Sequence, residues 1–367
     1  MNKKLFFILN LTLLLSLVSC EKEKNDLPKY ENDDQLIVLN QGNYTEQNGS
    51  ISLYSETKNS VVNRAFKKKN GFDIGATIMG GTMNPLGGMY LICSNPSKIM
   101  IMDGATLECY EDGMLEDYPG FVTPRYITND GSFLYITVSG EEYEELPDGM
   151  YEYTDSKLFI VSMANGEVVK VLDIGSDAEG IICRHGFVFV AHRHGISVIS
   201  GNGAGAAVMT TIDTEAYGPV KHFAPGSNDR IYVSAPEFGI LSFDPYAHTL
   251  QDTIETEMDY EGFIHSDATG SAFYYYVNSY DENWNSTAKL NRFQIASQNI
   301  STLLTGTYFY SVGVSPFTGN IYTSETNFTT NSTLKVLNAN GNLKSEHEVG
   351  VGAYRYLYIS YGKMVEE

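Results

Sequence analysis

The chain has 367 residues, of which 24 are Lys or Arg and 45 are Asp or Glu, so its formal net charge is −21. This acid excess excludes nucleic acid as a partner, because nucleic-acid-binding proteins need a basic surface. Hydrophobic residues make up 43% of the chain, which is enough for a folded core and excludes a disordered protein. The 34 Gly, 26 Tyr and 18 Phe favour strands and turns.

The N-terminus has the pattern of an export signal. Lys3-Lys4 precedes an apolar run over residues 5–18, which is shorter than the roughly 20 residues that span a bilayer. The run ends in Leu17-Val18-Ser19-Cys20, which resembles the lipobox of bacterial lipoproteins. The resemblance implies a signal peptide over residues 1–19 and lipidation of Cys20, whose acyl chains give stable anchoring without a transmembrane helix.

A charged tether over residues 20–35 follows the expected lipid anchor. It contains Glu21-Lys22-Glu23-Lys24-Asn25-Asp26, and a charged stretch after the lipidated cysteine resembles the signal that sends Bacteroidetes lipoproteins to the cell surface. We therefore expect a lipid-anchored protein of the cell outer membrane that is displayed outward.

Short apolar strands recur along the rest of the chain. Seven similar segments begin between residues 36 and 321, and six intervals over these 285 residues give a period of about 47 residues. Turn signals precede them, as in Asn129-Asp130-Gly131, and further strands follow, as in Leu158–Val161. The seven segments are Leu36–Asn40, Met89–Cys93, Phe133–Thr137, Phe187–Ala191, Ile231–Ser234, Phe273–Val277 and Ile321–Ser324.

Four strands per unit, seven units and no helical period anywhere predict an all-β protein, a seven-bladed β-propeller of four-stranded antiparallel blades. The chain starts at the second strand of a blade, and Tyr354–Ile359 matches a first strand. We therefore expect the C-terminal strand to join the N-terminal blade and close the ring. The propeller is predicted over residues 36–361, with a tail over residues 362–367.

Three cysteines lie in the predicted propeller, at Cys93, Cys109 and Cys183. An odd number in an exported protein argues against a disulfide framework. Cys93 and Cys109 fall on non-adjacent strands of one repeat, too far apart to pair. We expect three buried thiols that act as small hydrophobic residues.

The repeats also carry a resemblance to a family. Residues Ser315–Ser324 and Ala224–Ser234 resemble the blades of YncE-like, surface-layer-type propellers. Together with the lipobox, the chain is similar to Bacteroidetes propeller lipoproteins that accompany TonB-dependent transporters, including the BtuG-type branch. The resemblance implies capture of a corrinoid, cobalamin, and its delivery to a TonB-dependent outer-membrane transporter.

Catalytic motifs are absent from the sequence: it has no HExxH, Gly-x-Ser-x-Gly, P-loop or dinucleotide-binding pattern. His192 and His194 form the densest imidazole pair, and hydrogen-bonded loop histidines are favoured over ligands of a metal or of cobalt. The acidic run Glu141–Glu145 is expected to be a solvated loop. We therefore expect a protein that is not an enzyme and holds no metal or cofactor.

A binding face is predicted at one end of the ring, where loops join second to third strands and each blade to the next. Arg125, His222 and Arg355 fall near the starts of inner strands and are expected to point at the channel. His192 and His194 lie in one of the loops. The loops are rich in aromatic residues, a composition typical of surfaces that bind ligands or protein partners. The aromatic candidates are Tyr44, Tyr217, Tyr260, Tyr280, Trp284, Tyr310, Phe328 and Tyr354.

The sequence thus favours a lipid-anchored surface protein that binds a small molecule, a corrinoid first, through this face. Two alternatives stay open. One is a scaffold that binds a protein or a glycan with the same aromatic residues. The other is a lactonase- or lyase-type propeller enzyme with a divalent metal in the channel, for which Glu179, Glu261 and Asn84 are the available ligands. Glu179 and Glu261 occupy equivalent repeat positions, each before a glycine.

Overall fold

Strands supply nearly all of the regular structure, and their burial changes with distance from the ring axis. The computed structural model of the chain describes residues 35–146, 149 and 151–359. Every residue of the second strand Gly88–Ser94 is buried, because its blade is covered by a neighbour on each face. The outermost strand Thr249–Glu255 is mostly exposed. Continuous apolar runs therefore mark second strands, as the sequence predicts.

The strands form seven four-stranded antiparallel sheets, the blades of a β-propeller. Blade 1 contains β1 (Gln35–Asn40), β2 (Ser50–Ser55) and β3 (Ser60–Val62); blade 2 contains β4 (Thr77–Met83), β5 (Gly88–Ser94), β6 (Lys98–Asp103) and β7 (Cys109–Leu115). Blade 3 contains β8 (Pro124–Asn129) and β9 (Phe133–Val138), then, after the separate hairpin of β10 (Tyr143–Glu145) and β11 (Tyr151–Tyr153), β12 (Lys157–Ser162) and β13 (Val168–Asp173).

The remaining blades follow in chain order, and the last strand returns to blade 1. Blade 4 contains β14 (Ile181–Arg184), β15 (Phe187–His192), β16 (Gly195–Ser200) and β17 (Ala207–Asp213); blade 5 contains β18 (Phe223–Pro225), β19 (Ile231–Ala235), β20 (Gly239–Asp244) and β21 (Thr249–Glu255). Blade 6 contains β22 (Ile264–Ser266), β23 (Ala272–Tyr280), β24 (Ser286–Gln294) and β25 (Asn299–Gly306); blade 7 contains β26 (Phe309–Val314), β27 (Ile321–Glu325), β28 (Ser332–Leu337) and β29 (Leu343–Val349), and β30 (Ala353–Ile359) completes blade 1.

The two ends of the described chain meet in blade 1, and this confirms the predicted closure. β30 pairs with β1 in antiparallel register, with Gln35 opposite Ile359 and Leu39 opposite Arg355. β30 is therefore the inner strand of blade 1, in line with the inner strands of the other blades, which contact one another around the channel. All seven segments of the predicted strand family are second strands.

Two local predictions are wrong. One short helix, α1 (Ala65–Asn70), follows β3, although the sequence shows no helical period; six residues are too few to display one, and the helix is held by the burial of Ala65 and Phe66. The acidic run Glu141–Glu145 is exposed, as predicted for a solvated segment, but it is not an irregular loop, because Tyr143–Glu145 forms β10 and pairs with β11. Two single 3-10 turns lie at Gly203–Gly205 and Glu215–Tyr217.

The three cysteines of the described residues are free thiols, and Cys93 is buried as predicted. Cys93 on β5 is buried, and burial raises the pKa of its thiol to about 12. β6 separates it from Cys109 on β7, so the two do not pair. Cys109 and Cys183 are half-buried rather than buried, because Cys109 lies on the outermost strand β7 and Cys183 lines a surface cavity beside the β14–β15 turn.

The expected signal peptide, Cys20, the tether up to residue 34 and the tail over residues 362–367 lie outside the described residues. Among the residues that are described, no helix is long and apolar enough to cross a membrane.

Glu56 joins blade 1 to blade 7 beside the closing strand. Its carboxylate accepts hydrogen bonds from the Tyr322 hydroxyl, from Asn320 Nδ2 at 2.6 Å and from Thr318 Oγ1 at 3.1 Å. Three bonds to one ionised side chain make it a strong contact between blades that are distant in sequence.

We expect Glu56→Gln to lower the free energy of unfolding by about 1–3 kcal/mol, because an amide keeps the shape but places an N–H donor against these donors. Urea unfolding measures the change. The exposed Glu111→Gln is the control, expected within about 0.5 kcal/mol of the wild type. Equal effects of the two substitutions would contradict the role of Glu56 in closure.

Candidate functional site

A cavity of about 310 Å³ opens at the end of the ring where second strands turn into third strands. It lies between blades 3 and 6, and we call it the mouth cavity. Its walls come from residues that precede inner strands and from the loops β9–β12, β15–β16 and β19–β20. The side chains that carry charge or an aromatic ring there are Arg125, Tyr151, Tyr153, Asp177, Glu179, Arg193, Lys221, Glu237, Tyr260 and Glu261.

An ion pair between blades 3 and 4 forms one wall. Arg125 on β8 donates from Nη2 to Glu179 Oε1 at 2.9 Å and from Nε to Glu179 Oε2 at 3.3 Å. Both side chains are largely buried. Burial raises the pKa of Glu179, but the Arg125 guanidinium and the Lys221 ammonium outweigh it, so the pKa ends below its usual value. Glu179 is therefore ionised at neutral pH.

Lys221 forms the opposite wall, just before β18. The residue is 7% exposed, and its ammonium lies 3.8 Å from the centroid of the Tyr260 ring. None of the other described residues forms an ion pair with it. Glu261 lines the same cavity, and burial raises the pKa of its carboxyl although Lys221 and Arg125 oppose the shift. The ammonium thus faces the mouth cavity in contact with an aromatic ring, while the carboxylates of Glu179 and Glu261 act on it electrostatically from beyond ion-pair distance.

Backbone contacts fix these residues. The N–H of Glu179 donates to Ala191 O at 2.8 Å, and the N–H of Lys221 donates to Ser234 O at 2.9 Å. Gly180 N donates to Lys221 O at 2.8 Å and so links blades 4 and 5. A Cβ at Gly180 would lie 2.1 Å from that carbonyl oxygen, so only glycine allows this approach.

The β10–β11 hairpin covers one side of the cavity and is tied to it by ion pairs. Arg193 contacts Glu152 of the hairpin at 3.0 Å and Asp177 at 3.3 Å. The N–H of Tyr153 donates to Asp177 Oδ1 at 2.9 Å. Burial raises the pKa of Asp177. The hairpin places Tyr151 and Tyr153 in the cavity wall.

The structure divides the candidate residues into four groups. Arg125 and Tyr260 line the mouth cavity, whereas Tyr354, Arg355 and His222 line the central channel. Tyr44, Tyr280 and Trp284 are exposed, Trp284 by 82%. The residues that pack against neighbouring aromatic side chains are Tyr217, Tyr310 and Phe328. Cys20 lies outside the described residues.

His192 and His194 do not converge on one point. His192 is buried; its Nδ1 accepts from the N–H of His194 at 3.3 Å, so Nε2 carries the proton and donates to Ser197 Oγ at 3.2 Å. His194 lies 54% exposed, with Nε2 at 3.4 Å from Glu152. Both nitrogens of His192 are thus bonded within the protein.

The described residues contain no group of three or more His, Cys, Asp or Glu side chains arranged to hold a metal ion. Glu179 and Glu261 meet at the mouth cavity. Asn84 lies in the β4–β5 turn at the other end of the ring, where its Oδ1 accepts from the N–H groups of Leu86 and Gly88. The three ligands of the metal alternative therefore do not come together.

Sequence reasoning missed Lys221 and Arg193. A signal for Lys221 exists, because Lys221-His222 holds the repeat position of Glu179-Gly180 and Glu261-Gly262, directly before an inner strand. Arg193 stands between the two histidines that drew attention, but its partners Glu152 and Asp177 lie 41 and 16 residues away. No local pattern reveals such pairs.

Buried histidine makes stability depend on pH. Burial lowers the pKa of His192 from 6.5 to about 4, and His194 adds to the shift. Between these values the unfolded chain binds a proton that the folded chain does not, so the free energy of unfolding falls as the pH drops through this window. His222, whose pKa burial also lowers, acts in the same direction.

We expect His192→Gln to flatten the loss of unfolding free energy between pH 6.5 and 4 by about 3 kcal/mol at most, at about 1.4 kcal/mol per pKa unit. Urea unfolding at a series of pH values measures the slope. The exposed His185→Gln should keep the wild-type slope. An unchanged slope for His192→Gln would show that this residue does not titrate as described.

Comparisons with known proteins agree with the propeller fold. AztD from Citrobacter koseri superposes with a TM-score of 0.57 at 10% identity, covering 91% of this chain and all of AztD. Proposed 6-phosphogluconolactonases from Bacteroides uniformis and Bacteroides fragilis give TM-scores of 0.62 and 0.61 at 10% and 11% identity, covering 90% and 91% of this chain and all of each structure. At these identities the likeness concerns the fold alone.

No curated protein matches the sequence. The model of one family does match, over residues 34–356, which is nearly the whole described ring. The chain therefore belongs to the DUF5074 family, a domain of unknown function.

Proposed function

We propose that the chain is a ligand-binding surface propeller that captures a small organic molecule at the mouth cavity. Lys221 carries this proposal. A largely buried lysine without a carboxylate at ion-pair distance is costly, and here its ammonium lines an open cavity under the ring of Tyr260. An acceptor group of a ligand would supply the missing partner.

The surrounding charges narrow the class of ligand. Lys221 offers N–H donors, while the ionised Glu179 offers acceptors on the same cavity. A ligand that carries both hydrogen-bond acceptors and donors fits this arrangement, as a carboxamide does. Tyr151, Tyr153 and Tyr260 add aromatic surface for an apolar part.

A corrinoid, the ligand that the family resemblance suggests, meets these requirements in part of its structure. The cavity of about 310 Å³ lies at the lower end of the roughly 300–1,000 Å³ of small-molecule sites, so a whole corrinoid does not fit inside. We propose that one peripheral amide enters beside Lys221 and Glu179 while the ring lies on the exposed aromatic residues. Lipidation at Cys20, outer-membrane display and delivery to a TonB-dependent transporter complete this proposal.

Isothermal titration calorimetry with cyanocobalamin tests the ligand. We expect saturable binding to the wild type, and we expect Tyr260→Ala and Lys221→Met each to weaken it by about 30-fold, or about 2 kcal/mol. The ring of Tyr260 and the charge of Lys221 would lie against the ligand, so their loss removes contacts directly.

Tyr246→Ala is the matched control, because Tyr246 is 60% exposed and Tyr260 is 62% exposed, but Tyr246 lies in the β20–β21 turn at the opposite end of the ring. It should bind as the wild type does. If the wild type does not bind cyanocobalamin at micromolar concentration, the proposal of a corrinoid ligand is rejected. Capture of a transporter or a glycan without small-molecule affinity would favour the scaffold instead.

A second candidate function is hydrolysis of a lactone, and one observation favours it. Glu179 and Glu261 line one cavity, and their pKa values are displaced in opposite directions. Two carboxyl groups on one cavity whose pKa values are displaced in opposite directions can act as general base and general acid. Two propellers of similar fold are proposed 6-phosphogluconolactonases.

A pH-stat assay with glucono-δ-lactone decides this second candidate. If it is correct, the wild type hydrolyses the lactone faster than buffer, and Glu261→Gln lowers the rate by about 100-fold or more, since the amide cannot donate a proton. Glu111→Gln is the control and keeps the wild-type rate. A wild-type rate equal to that of buffer would remove this candidate and leave the binding proposal untouched.

A further inference from the structure

The central channel holds a second cavity, separate from the mouth cavity in its lining residues. Its volume is about 190 Å³, and all seven inner strands or the residues just before them contribute to its wall. This space takes on the order of ten water molecules. Three glycines, Gly80, Gly81 and Gly180, keep the wall open on the side of blades 2 and 4.

Arg355 is the charged residue of this channel cavity. It comes from β30, opposite Leu39 of β1, and its guanidinium carbon lies 4.3 Å from the Tyr126 ring centroid, 4.9 Å from that of Phe263 and 4.7 Å from that of Tyr354. Three rings thus surround the guanidinium. Cation–π contact stabilises its faces, but the rings do not satisfy the N–H groups at its edges, which need hydrogen-bond acceptors.

The hydrogen bonds of Arg355 are few for a guanidinium, which has five N–H donors. Its Nη2 donates to the Tyr354 hydroxyl at 3.3 Å, while its Nε is buried without a partner. Within the described chain no carboxylate forms an ion pair with it. Arg125, the next cation, is instead paired with Glu179.

The other titratable side chains of the cavity do not neutralise Arg355. Burial lowers the pKa of His222, and Arg355, Lys221 and Arg125 lower it further, so this histidine is neutral at pH 7. It stacks on Phe263 at 4.3 Å, and the Tyr126 hydroxyl lies 3.3 Å from its Nε2. Burial also lowers the pKa of His265. The cavity therefore carries one uncompensated positive charge in a protein of net charge −21.

We propose that the channel cavity is a binding site for a small organic acid, whose carboxylate pairs with the guanidinium of Arg355. A planar carboxylate matches the fork of N–H donors, and such pairs are short and strong. The apolar side chains of Ile127, Ile181, Ile264 and Val312 in the wall suit the hydrocarbon part of the acid. This site is distinct from the mouth cavity, and it does not require the ligand proposed there.

The experiment uses sodium acetate as the probe, at pH 7 and at an ionic strength held constant with sodium chloride. Saturation-transfer-difference NMR reports contact of the acetate methyl group, and the thermal midpoint of the same samples reports stabilisation by binding. We expect both signals to saturate for the wild type. Arg355→Gln should weaken the binding of acetate by about tenfold or more, because the charge is lost.

Two variants keep the test sharp. Arg64→Gln is the control, since Arg64 is a surface arginine paired with Asp73, and it should respond to acetate as the wild type does. Arg355→Lys keeps the positive charge but loses the fork, so it should bind acetate more weakly than the wild type and more tightly than Arg355→Gln.

Should Arg355→Gln not fold, the wild type and Arg355→Lys decide the matter. The absence of a saturable acetate signal in the wild type at tens of millimolar would overturn the proposal. Binding of acetate by Arg355→Lys or Arg355→Gln as tightly as by the wild type would overturn it too. Sodium phosphate is the competing probe. Stronger binding of phosphate than of acetate would also overturn it, because the site would then select an inorganic oxyanion. Cyanocobalamin titrations of Tyr260→Ala are independent of all these outcomes.

Discussion

Where β1 meets β30, backbone hydrogen bonds join two strands that are about 320 residues apart in the chain, with Gln35 opposite Ile359. An open sheet would leave unpaired edges along both strands, and a ring of blades removes them only when its ends pair. Glu56 adds a side-chain link from blade 1 to Asn320 and Tyr322 of blade 7. Because every inner strand is held by two neighbours, the channel and the mouth have a defined shape only in the closed ring.

Charged side chains are distributed unevenly over the closed ring, so the mouth cavity and the channel cavity differ in the charge of their walls. At the mouth, cations and carboxylates alternate from blade to blade, as in Arg125, Glu179 and Lys221, and most of them compensate one another. One step further into the channel the lining turns to aromatic rings, neutral histidine and glycine, with Arg355 as the charge. Successive residues on the same strands, such as Arg125 and Tyr126, therefore serve different cavities.

The fold was predictable because the signal is repeated and local. Second strands are buried on both faces, so each of them reads as an apolar run whatever the blade around it. The helix α1 was not predicted, because six residues are too few to show a helical period of hydrophobic residues. The hairpin β10–β11 was not predicted because the residues that hold it, Tyr151 against Tyr143 and Arg193 against Glu152, lie outside the run of acidic residues.

The site was predictable only in part, for a related reason. Position before or within an inner strand was enough to single out Arg125 and Arg355, since the repeat fixes which residues approach the axis. Composition could not separate an exposed ring from a packed one: Trp284 in the β23–β24 loop is 82% exposed, whereas Tyr310, which the sequence places in a loop, lies on the inner strand β26 and is 8% exposed. The importance of Lys221 rests on a missing partner, and a missing partner is a property of three-dimensional surroundings that no stretch of sequence displays.

Closure of the ring by β30 also determines when the channel cavity can form relative to the synthesis of the blades. Because synthesis proceeds from the N-terminus, blades 2 to 7 are made before β30, and the inner position of blade 1 stays empty until Ala353–Ile359 has been made. Arg355 and Tyr354 belong to that strand, so the channel cavity can acquire its charge and part of its aromatic wall only after β30 has been made. A chain that ends prematurely, or is clipped before residue 353, has most of its blades but no guanidinium in the channel. Pairing of β30 with β1 therefore closes the ring and completes the channel cavity at once.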